Sequence, residues 1–275
     1  MNIKAFKMDG LGNDFIIIDL RHGVINLSKE QIIKICDRKF LGCDQLVLIN
    51  KSKDTDAKLD FYNSDGSEAA ACGNGTRCAA YFISNEKDKK EVVLTTKSGK
   101  LNSKVLGPKL VETVIGKART NWKEIPTSRE VDTKNLGLNI QDKQKNIIKG
   151  GTAVNVGNPH AIFFVDDLGN YDLGEIGPRL ENDNLFPDRC NITIAKIIDR
   201  NKIAVKVWER GAGLTKACGS AACATAFAAK INNLVNDNVD IVFDLGNLSI
   251  SIDENNFVKM KGPVSNIKKI EINLR

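Results

Sequence analysis

The sequence predicts a mixed α and β fold made of two similar lobes that arose by internal duplication. Three observations predict it: strand-like apolar runs outnumber helical patterns, one cysteine loop occurs twice, and further motifs recur at a nearly constant spacing. The two loops are AACGNGTRCAA (70–80) and KACGSAACA (216–224), which place Cys72 and Cys218 146 residues apart. At 275 residues, the chain is long enough for two lobes that each bury a core.

Three more pairs of motifs support the duplication. GLGNDFIIID, with Asn13, matches VGNPHAIFFVDD, with Asn158, at an offset of 145 residues. The pair YN at 62–63 matches WE at 208–209 at an offset of 146 residues, and GKLNSKV (99–105) resembles GNLSISI (246–252) at 147. Because four matches keep the same order while their offsets drift by at most two residues, we interpret the halves as copies of one unit.

Each copy is predicted to contain the same elements in the same order. A strand (FIIID or AIFFVDD) precedes a helix, then a strand ending at Asn63 or Glu209, then the cysteine loop with its helix, and finally several strands. The first helix has a capping-box start, in which Ser28 is followed by Gln31. We expect an N-terminal lobe over 1–117, a C-terminal lobe over 118–262 whose polar stretch 118–150 is the connection, and a last strand in 263–275 that returns to the first lobe.

Composition and charge exclude several classes of protein. The net charge of +6 comes from lysines scattered through polar segments, which is typical of a solvated surface and not of a nucleic-acid-binding stripe. No apolar run is long enough to cross a bilayer, and the first residues do not resemble a secretory signal. We therefore expect a cytoplasmic protein that binds neither membrane nor nucleic acid and whose seven cysteines stay reduced.

Cys72 and Cys218 are each predicted to lie at the start of a helix. Unpaired backbone N–H groups and the helix dipole favour a thiolate there, and the same N–H groups can hold a carboxylate. If two equivalent lobes face each other across a cleft, the two thiols approach one carbon from opposite sides. One thiolate would then remove a proton while the other thiol delivers one to the far face, which inverts the stereocentre.

The other cysteines and other kinds of cysteine site show different patterns. Four cysteines lie in apolar patterns and are expected to be buried: Cys36, Cys78, Cys190 and Cys223. Cys43 has no assignment from its pattern. Zinc is not expected, because the cysteine spacings do not supply two pairs of ligands and only His22 and His160 could complete a site. A C-x-x-C motif is absent, which argues against thioredoxin-like exchange.

Five stretches together closely resemble the diaminopimelate epimerase family: GLGNDF (10–15), GCDQ (42–45), YNSDGSEAAACGNGTRC (62–78), GNPH (157–160) and WERGAGLTKACG (208–219). The resemblance implies an isomerase that interconverts LL- and meso-diaminopimelate, in lysine and peptidoglycan-precursor synthesis, without pyridoxal phosphate or another cofactor. It also implies two pseudo-symmetric lobes, each a curved sheet around a helix, with the active site in the cleft between them. A homodimer is implied as well.

The resemblance also implies roles for individual residues. Cys72 and Cys218 match the acid/base pair, and His160 and Glu209 match groups that tune the thiols. The positions that match substrate-binding groups are Asn13, Gln45, Asn63, Gly73, Asn74, Asn158, Asn191, Glu209, Arg210, Gly219 and Ser220. Arg210 can fork onto the distal carboxylate of the substrate, while Glu209 can accept from an ammonium group.

Two positions depart from the family pattern, and two other functions stay open. Ala221 stands where the family usually has glycine, which would strain the loop if that position needs a positive φ, and Cys43 stands where a small residue without a thiol is usual.

A proline or hydroxyproline racemase would share the paired cysteine loops. A metal- or redox-binding module is the alternative outside enzymes, and we expect a Cys72–Cys218 disulfide to form on oxidation and to be inactive. Lobe closure over the substrate is a further hypothesis.

Overall fold

The computed structural model describes residues 2–274. Within that range the chain divides into two compact units, the first formed by 2–114 with 261–274 and the second by Ile115–Met260. Each unit combines β-strands with two α-helices, so the predicted mixed α and β fold is confirmed.

The first unit is a mostly antiparallel sheet with a helix on each face. Its elements are β1 (Asn2–Gly10), β2 (Asn13–Leu20), α1 (Lys29–Cys36), β3 (Gln45–Asn50), β4 (Ala57–Asn63), β5 (Glu68–Ala69), α2 (Gly73–Lys87), β6 (Glu91–Thr96), β7 (Gly99–Gly107) and β8 (Leu110–Lys117). Strands β2 and β3 are parallel, as are β4 and β6, while β1 with β2, β3 with β4 and β6 with β7 are antiparallel. Helix α2 contacts β1, β2, β3, β6 and β7. Because these strands are spread across the sheet, the sheet curves around α2.

The second unit repeats these elements. A hairpin of β9 (Leu138–Gln141) and β10 (Ile147–Gly150) comes first, followed by β11 (Thr152–Asn155), β12 (Pro159–Phe164), a 3₁₀ turn (Leu168–Asn170), α3 (Leu173–Glu181), β13 (Asn191–Asp199), β14 (Lys202–Glu209), β15 (Gly213–Thr215), α4 (Gly219–Ile231), β16 (Asn238–Phe243), β17 (Gly246–Ile252) and β18 (Phe257–Pro263). Parallel pairs are again β12 with β13 and β14 with β16. Helix α4 contacts β11, β12, β13, β16 and β17, which are the counterparts of the strands around α2.

Apolar residues on both faces of β2 explain why the sheet lies between two helices. Phe15 and Ile17 belong to the cluster around α2, whereas Ile16 and Ile18 belong to the cluster around α1. A strand covered on both sides has no solvent face, and its sequence is then continuously apolar. The run FIII in this strand therefore predicts a layer of helix above the sheet and another below it.

The last strand, β19 (Lys268–Asn273), pairs antiparallel with β1, from Asn2 opposite Asn273 to Lys7 opposite Lys268. The sequence prediction that the chain returns to the first lobe at its end agrees with this pairing. The capping box at α1 is also confirmed, because the Ser28 hydroxyl accepts from the Gln31 N–H while the Gln31 side chain accepts from the Ser28 N–H.

The polar stretch 118–150 is more than a connection, contrary to expectation. Ile125, Leu136 and Ile148 are buried and belong to the same core cluster as the apolar residues of α3. Strands β9 and β10 pair with each other in this stretch. These isolated apolar residues are enough to pack the segment onto the second unit, although the sequence around them is polar.

Candidate active site

The two cysteines occupy equivalent helix starts. Cys72 is the N-cap of α2 with φ −144° and ψ 116°, and Cys218 is the N-cap of α4 with φ −129° and ψ 117°. In each case the sulfur accepts from the N–H three residues on, at 3.5 Å from Gly75 N and at 3.5 Å from Ala221 N. The prediction that both cysteines begin helices is confirmed. Each sulfur therefore takes the position that a serine or aspartate oxygen holds in an ordinary N-cap.

Amide side chains surround Cys72 in the first unit. Asn13 Oδ1 lies 3.9 Å from Cys72 Sγ and accepts from Asn74 Nδ2 at 3.2 Å. On its other side, Asn13 Nδ2 donates to Asp44 Oδ2 at 2.9 Å. Asn13 is thus held between a carboxylate and the thiol, with a fixed amide orientation. The sequence motif GCDQ predicted a substrate-binding role for Gln45 but gave no indication of the Asp44 contact.

Gln45 and Asn63 form a second amide pair at the same edge of the sheet. Gln45 Nε2 donates to Asn63 Oδ1 at 2.8 Å, and Asn63 Nδ2 donates to Ser67 Oγ at 3.0 Å. They meet because Gln45 begins β3, Asn63 ends β4, and the two residues are partners in the antiparallel register. Within residues 2–274, Gln45 Oε1 and Asn74 Oδ1 are buried without a hydrogen-bond partner. Buried unsatisfied acceptors are rare in folded proteins, which suggests that a ligand satisfies them.

Polar groups of a different kind surround Cys218 in the second unit. Cys218 Sγ lies 3.4 Å from Ser220 Oγ, which accepts from Asn158 Nδ2 at 3.3 Å. His160 Nε2 lies 2.9 Å from Asn158 Oδ1. The chain of contacts therefore runs from the thiol through a hydroxyl and an amide to an imidazole. The sequence motif GNPH supplies two of these groups.

Burial raises the pKa of the Cys218 thiol well above its ordinary value, and the nearby Glu209 carboxylate raises it further. Hydrogen bonds from Ser220 and the Ala221 N–H act in the opposite direction but do not outweigh burial. The expectation that a helix start favours a thiolate is therefore wrong for Cys218. Desolvation of the charged form and a like charge are stronger here than the helix dipole.

His160 is completely buried, and burial lowers its pKa to about 3. The positive charge of Arg210 contributes a smaller part of this lowering. An imidazole with this pKa is neutral at pH 7, so it can donate one hydrogen bond and accept another but brings no charge to the site.

The dipeptide Glu209–Arg210 is held by groups from α3 and β13. Asn191 Nδ2 donates to Pro159 O at 2.9 Å, and Asn191 Oδ1 accepts from the Arg210 N–H at 3.0 Å. The Arg210 guanidinium donates to Asp188 O at 2.8 Å. The backbone of the dipeptide is therefore fixed by a buried asparagine.

Glu181, a residue that sequence reasoning missed, holds this dipeptide from both sides. Its carboxylate accepts from Trp208 Nε1 at 2.6 Å, from the Gly211 N–H at 3.0 Å and from Arg189 Nη1 at 3.0 Å. One turn earlier on α3, a Cβ on Gly177 would come within 2.6 Å of the Trp208 ring, so only glycine allows this approach. Helix α3 therefore positions Trp208, and with it the residues that follow.

The two thiols have different neighbours although the loops are copies. Asn63 corresponds to Glu209, which lies 146 residues later. Phe15 corresponds to His160, because each is the first residue in the parallel pairing of its strand, with Gln45 and with Asn191 respectively. The second unit thus has a carboxylate and an imidazole where the first has an amide and a phenyl ring. The carboxylate that raises the pKa of Cys218 therefore has no counterpart at the equivalent position of the first unit.

Ala221 does not strain the second loop. It lies inside α4, it is buried, and its φ is not among the positive values in the chain. At the equivalent Gly75, an added Cβ would lie 2.8 Å from Phe61 Cε1. The residue 146 positions after Phe61 is the smaller Val207, which leaves room for the methyl group of Ala221.

Metal ligands are not grouped in the described residues: no cluster of three or more histidine, cysteine, aspartate or glutamate side chains occurs within 2–274. Over the same range, none of the helices is both long and apolar enough to span a membrane. The four cysteines expected to be buried are indeed buried, which confirms that prediction for Cys36, Cys78, Cys190 and Cys223.

A comparison with known protein families matches the model of diaminopimelate epimerase over residues 5–121 and 152–267. A diaminopimelate epimerase of Pelagibacter ubique is 63% identical over 274 residues, with both chains covered completely. The chain belongs to the diaminopimelate epimerase family. Members of this family are isomerases. A second diaminopimelate epimerase, from Methylocella silvestris, is 42% identical over 96% of this chain and 92% of its own length.

The match to the diaminopimelate epimerase model has two blocks, one in each copy of the duplicated unit. Among solved structures, a protein from Pseudomonas aeruginosa described as a predicted epimerase has a TM-score of 0.72 and 14% sequence identity, covering 99% of this chain and 100% of its own. At that identity the similarity shows a shared fold. The sequence resemblance to diaminopimelate epimerases is therefore confirmed, and the two-lobe fold with it.

Proposed function

We propose that this chain interconverts LL- and meso-diaminopimelate with Cys72 and Cys218 as its two acid/base groups. The observation that carries the proposal is the pair of equivalent helix-capping thiols in unequal surroundings, amides at Cys72 and a carboxylate at Cys218. Two acid/base groups of the same type are what inversion of a carbon requires, because each must serve as the acid in one direction and as the base in the other.

The raised pKa of Cys218 makes it the proton donor of the resting enzyme. In that direction the Cys72 thiolate removes the proton from the substrate α-carbon, and the Cys218 thiol delivers its own proton to the opposite face. The products are the inverted amino acid, a Cys72 thiol and a Cys218 thiolate, so protons and charge balance. The reverse reaction exchanges the roles of the two sulfurs.

Backbone N–H groups at the two helix starts are proposed to hold the reacting carboxylate. Gly73 and Asn74 begin α2, while Gly219 and Ser220 begin α4, and the first N–H groups of a helix have no partner within the helix. Partial positive charge at these positions also stabilises the negative charge that develops on proton removal.

The distal end of the substrate is assigned to amide and charged groups. Arg210 is proposed to bind the distal carboxylate, and Glu209 to accept from an ammonium group as well as to tune Cys218. Asn13, Gln45, Asn63, Asn158 and Asn191 are the proposed amide ligands, with His160 orienting Asn158. A site built this way rejects a shorter amino acid, because its buried polar groups would be left unpaired.

Through this reaction the protein is proposed to serve the synthesis of lysine and of peptidoglycan precursors. We further propose that it works in the cytoplasm as a homodimer with a small-molecule substrate and without nucleic acid or membrane. Sedimentation of the purified chain at low and high concentration tests the dimer, and a monomer at all concentrations would contradict it.

The substrate and both thiols can be tested in one experiment. The reduced protein is incubated with LL-diaminopimelate and, separately, with L-proline, and the variants Cys72→Ser and Cys218→Ser are compared. The controls are Cys78→Ala and Cys223→Ala, which remove a buried thiol from the same two helices. We expect meso product from the wild type and both controls, and a loss of at least about 10²-fold in each serine variant. Turnover of L-proline alone would replace the proposed substrate.

A further inference from the structure

A second pair of thiols lies in the first unit, apart from Cys72 and Cys218. Cys36 is the last residue of α1, and Cys43 lies in the turn before β3. Their sulfurs are 3.5 Å apart, with Cys43 Sγ donating to Cys36 Sγ. The Cys43 N–H also donates to Cys36 O at 3.2 Å, and the Gly42 N–H to Ile35 O at 3.3 Å. The backbone therefore holds the two residues side by side.

The two sulfurs have complementary chemistry. The hydrogen bond from Cys43 lowers the pKa of Cys36 despite its burial, and the positive charge of Arg38 lowers it further. The same contact, together with burial, raises the pKa of Cys43. Asp14, whose carboxylate binds Arg38, opposes ionisation of both thiols. One sulfur is thus the nucleophile, and its partner remains a thiol within reach.

The pair is buried beneath the end of α1 and next to an exposed turn. Cys36 and Cys43 are 2% and 1% exposed, but the turn between them, from Asp37 to Phe40, is exposed. Helix α1 has only eight residues, and local unwinding of its last turn is the opening through which an oxidant would reach the pair. Openings of this kind at helix ends are among the least costly local motions of a folded protein.

We propose that Cys36 and Cys43 form a redox-active dithiol whose oxidant is a low-molecular-weight disulfide such as oxidised glutathione. The Cys36 thiolate attacks one sulfur of that disulfide and releases a first small thiolate, which takes up a proton. Cys43, after losing its proton, then attacks Cys36 Sγ and releases the second small thiol. One disulfide forms in the protein while one small disulfide is reduced to two thiols, so atoms and electrons balance.

The modification site adjoins residues of the candidate active site. Asp44, which binds Asn13, follows Cys43 directly, and Gln45 comes next. The geometry needs only a small movement, because the sulfurs must approach from 3.5 Å to a bond length of about 2.05 Å. The proposal does not rest on the epimerase activity, since it concerns thiols outside the catalytic pair.

The test uses the folded wild-type chain and peptide masses. The protein is equilibrated with oxidised glutathione, the remaining thiols are alkylated after unfolding, and the chain is cut with trypsin. Cys36 then lies in ICDR (35–38) and Cys43 in FLGCDQLVLINK (40–51), so their disulfide is a linked pair that no other cysteine can produce. A Cys72–Cys218 disulfide yields different peptides, which keeps the two reactions distinct.

We expect the linked pair in most chains, its disappearance on adding excess dithiothreitol, and its absence in Cys36→Ser and Cys43→Ser. Cys78 and Cys190, which are equally buried, serve as internal controls and should remain alkylated thiols. The proposal is overturned if Cys36 and Cys43 both stay alkylated under the oxidant. It is also overturned if either residue ends as a stable mixed disulfide with glutathione.

Discussion

At the scale of single residues, the two thiols have equivalent helix starts but different neighbours. Both cap a helix with nearly the same backbone angles, yet burial and the Glu209 carboxylate raise the pKa of Cys218. The paired cysteines could be predicted from the repeat. The direction in which the pKa of Cys218 shifts could not be predicted. Burial acts on the thiol only in the folded chain, and the Glu209 carboxylate, 9 residues earlier in the sequence, comes near it only then.

Glu209→Gln is expected to lower the pKa of Cys218, because it removes the like charge that disfavours the thiolate. At a fixed pH well below the pKa, each unit by which the pKa falls increases the thiolate fraction about tenfold. The measurement is the rate of Cys218 alkylation against pH in a Cys72→Ser background. Glu209→Asp, which keeps a carboxylate, is the matched control, and an unchanged pKa in Glu209→Gln would contradict the assignment.

His160 should make stability depend on pH in a predictable direction. Its pKa is about 3 in the folded chain and about 6.5 when unfolded, so the unfolded state binds the extra proton as the pH falls. The contribution is fully present above pH 6.5 and is lost on acidification, about 2 kcal/mol of it between pH 6.5 and 5.

Urea unfolding at pH 7 and pH 5 measures this effect. His160→Gln should remove the His160 part of the pH dependence, while His22→Gln should keep it because His22 is exposed. Equal pH dependence in the wild type and in His160→Gln would show that His160 is not held neutral by burial.

At the scale of elements, the helices that carry the cysteines fit their sheets through small residues. Gly75 allows α2 to approach Phe61, whereas α4 carries Ala221 at the equivalent position and the residue equivalent to Phe61 is Val207. The sequence predicted both helices and their first residues. The sequence could not predict that the small Gly75 is matched to the large Phe61, because these residues lie on different elements that only the fold brings together.

Gly75→Ala is expected to destabilise the protein by about 1–3 kcal/mol, since the new methyl group would lie 2.8 Å from Phe61 Cε1. Phe61→Val should lose stability for the opposite reason, an unfilled cavity. In the double variant the methyl group occupies part of that cavity, so the total loss should be smaller than the sum. Strictly additive unfolding free energies would contradict this packing account.

Glu181 illustrates a positioning residue at the end of an element. In the sequence it is one glutamate in a helix that ends among polar residues, which is typical of a solvated surface. The fold buries its carboxylate and gives it three donors, from Trp208, Gly211 and Arg189. Nothing in the residue pattern indicates those partners, because they come from β14, from the turn that follows it and from the turn before β13.

Glu181→Ala is expected to lower kcat/KM for LL-diaminopimelate about tenfold or more, chiefly by raising KM, because the backbone of Glu209 and Arg210 loses its support. Glu181→Gln, which keeps an acceptor oxygen for the Gly211 N–H and for Arg189 but replaces the oxygen that accepts from Trp208 by an NH2 group, should recover part of the loss. Steady-state kinetics at a temperature where both variants are folded measures this. A fall in kcat alone, or no rescue by glutamine, would argue against a positioning role.

At the scale of the whole chain, duplication is the feature that the sequence predicted best. Offsets of 145 to 147 residues correspond to ten elements repeated in the same order, with the same strands around α2 and α4. The stretch 118–150 was missed because Ile125, Leu136 and Ile148 are separated by polar residues and show no periodicity. The contact of Cys36 with Cys43 was missed because the turn that joins them has no signature of its own.

The central claim is that two thiols act on one carbon, and the isotope content of early turnover tests it most directly. LL-diaminopimelate is incubated with the wild-type protein in D2O, and the reaction is stopped after a small fraction has converted. The account predicts deuterium at the α-carbon of the meso product and none in the remaining LL substrate, because one sulfur removes the proton and the other delivers solvent deuterium. Equal deuterium in the product and in the recovered substrate would mean that a single group exchanges protons on both faces, which would contradict the account.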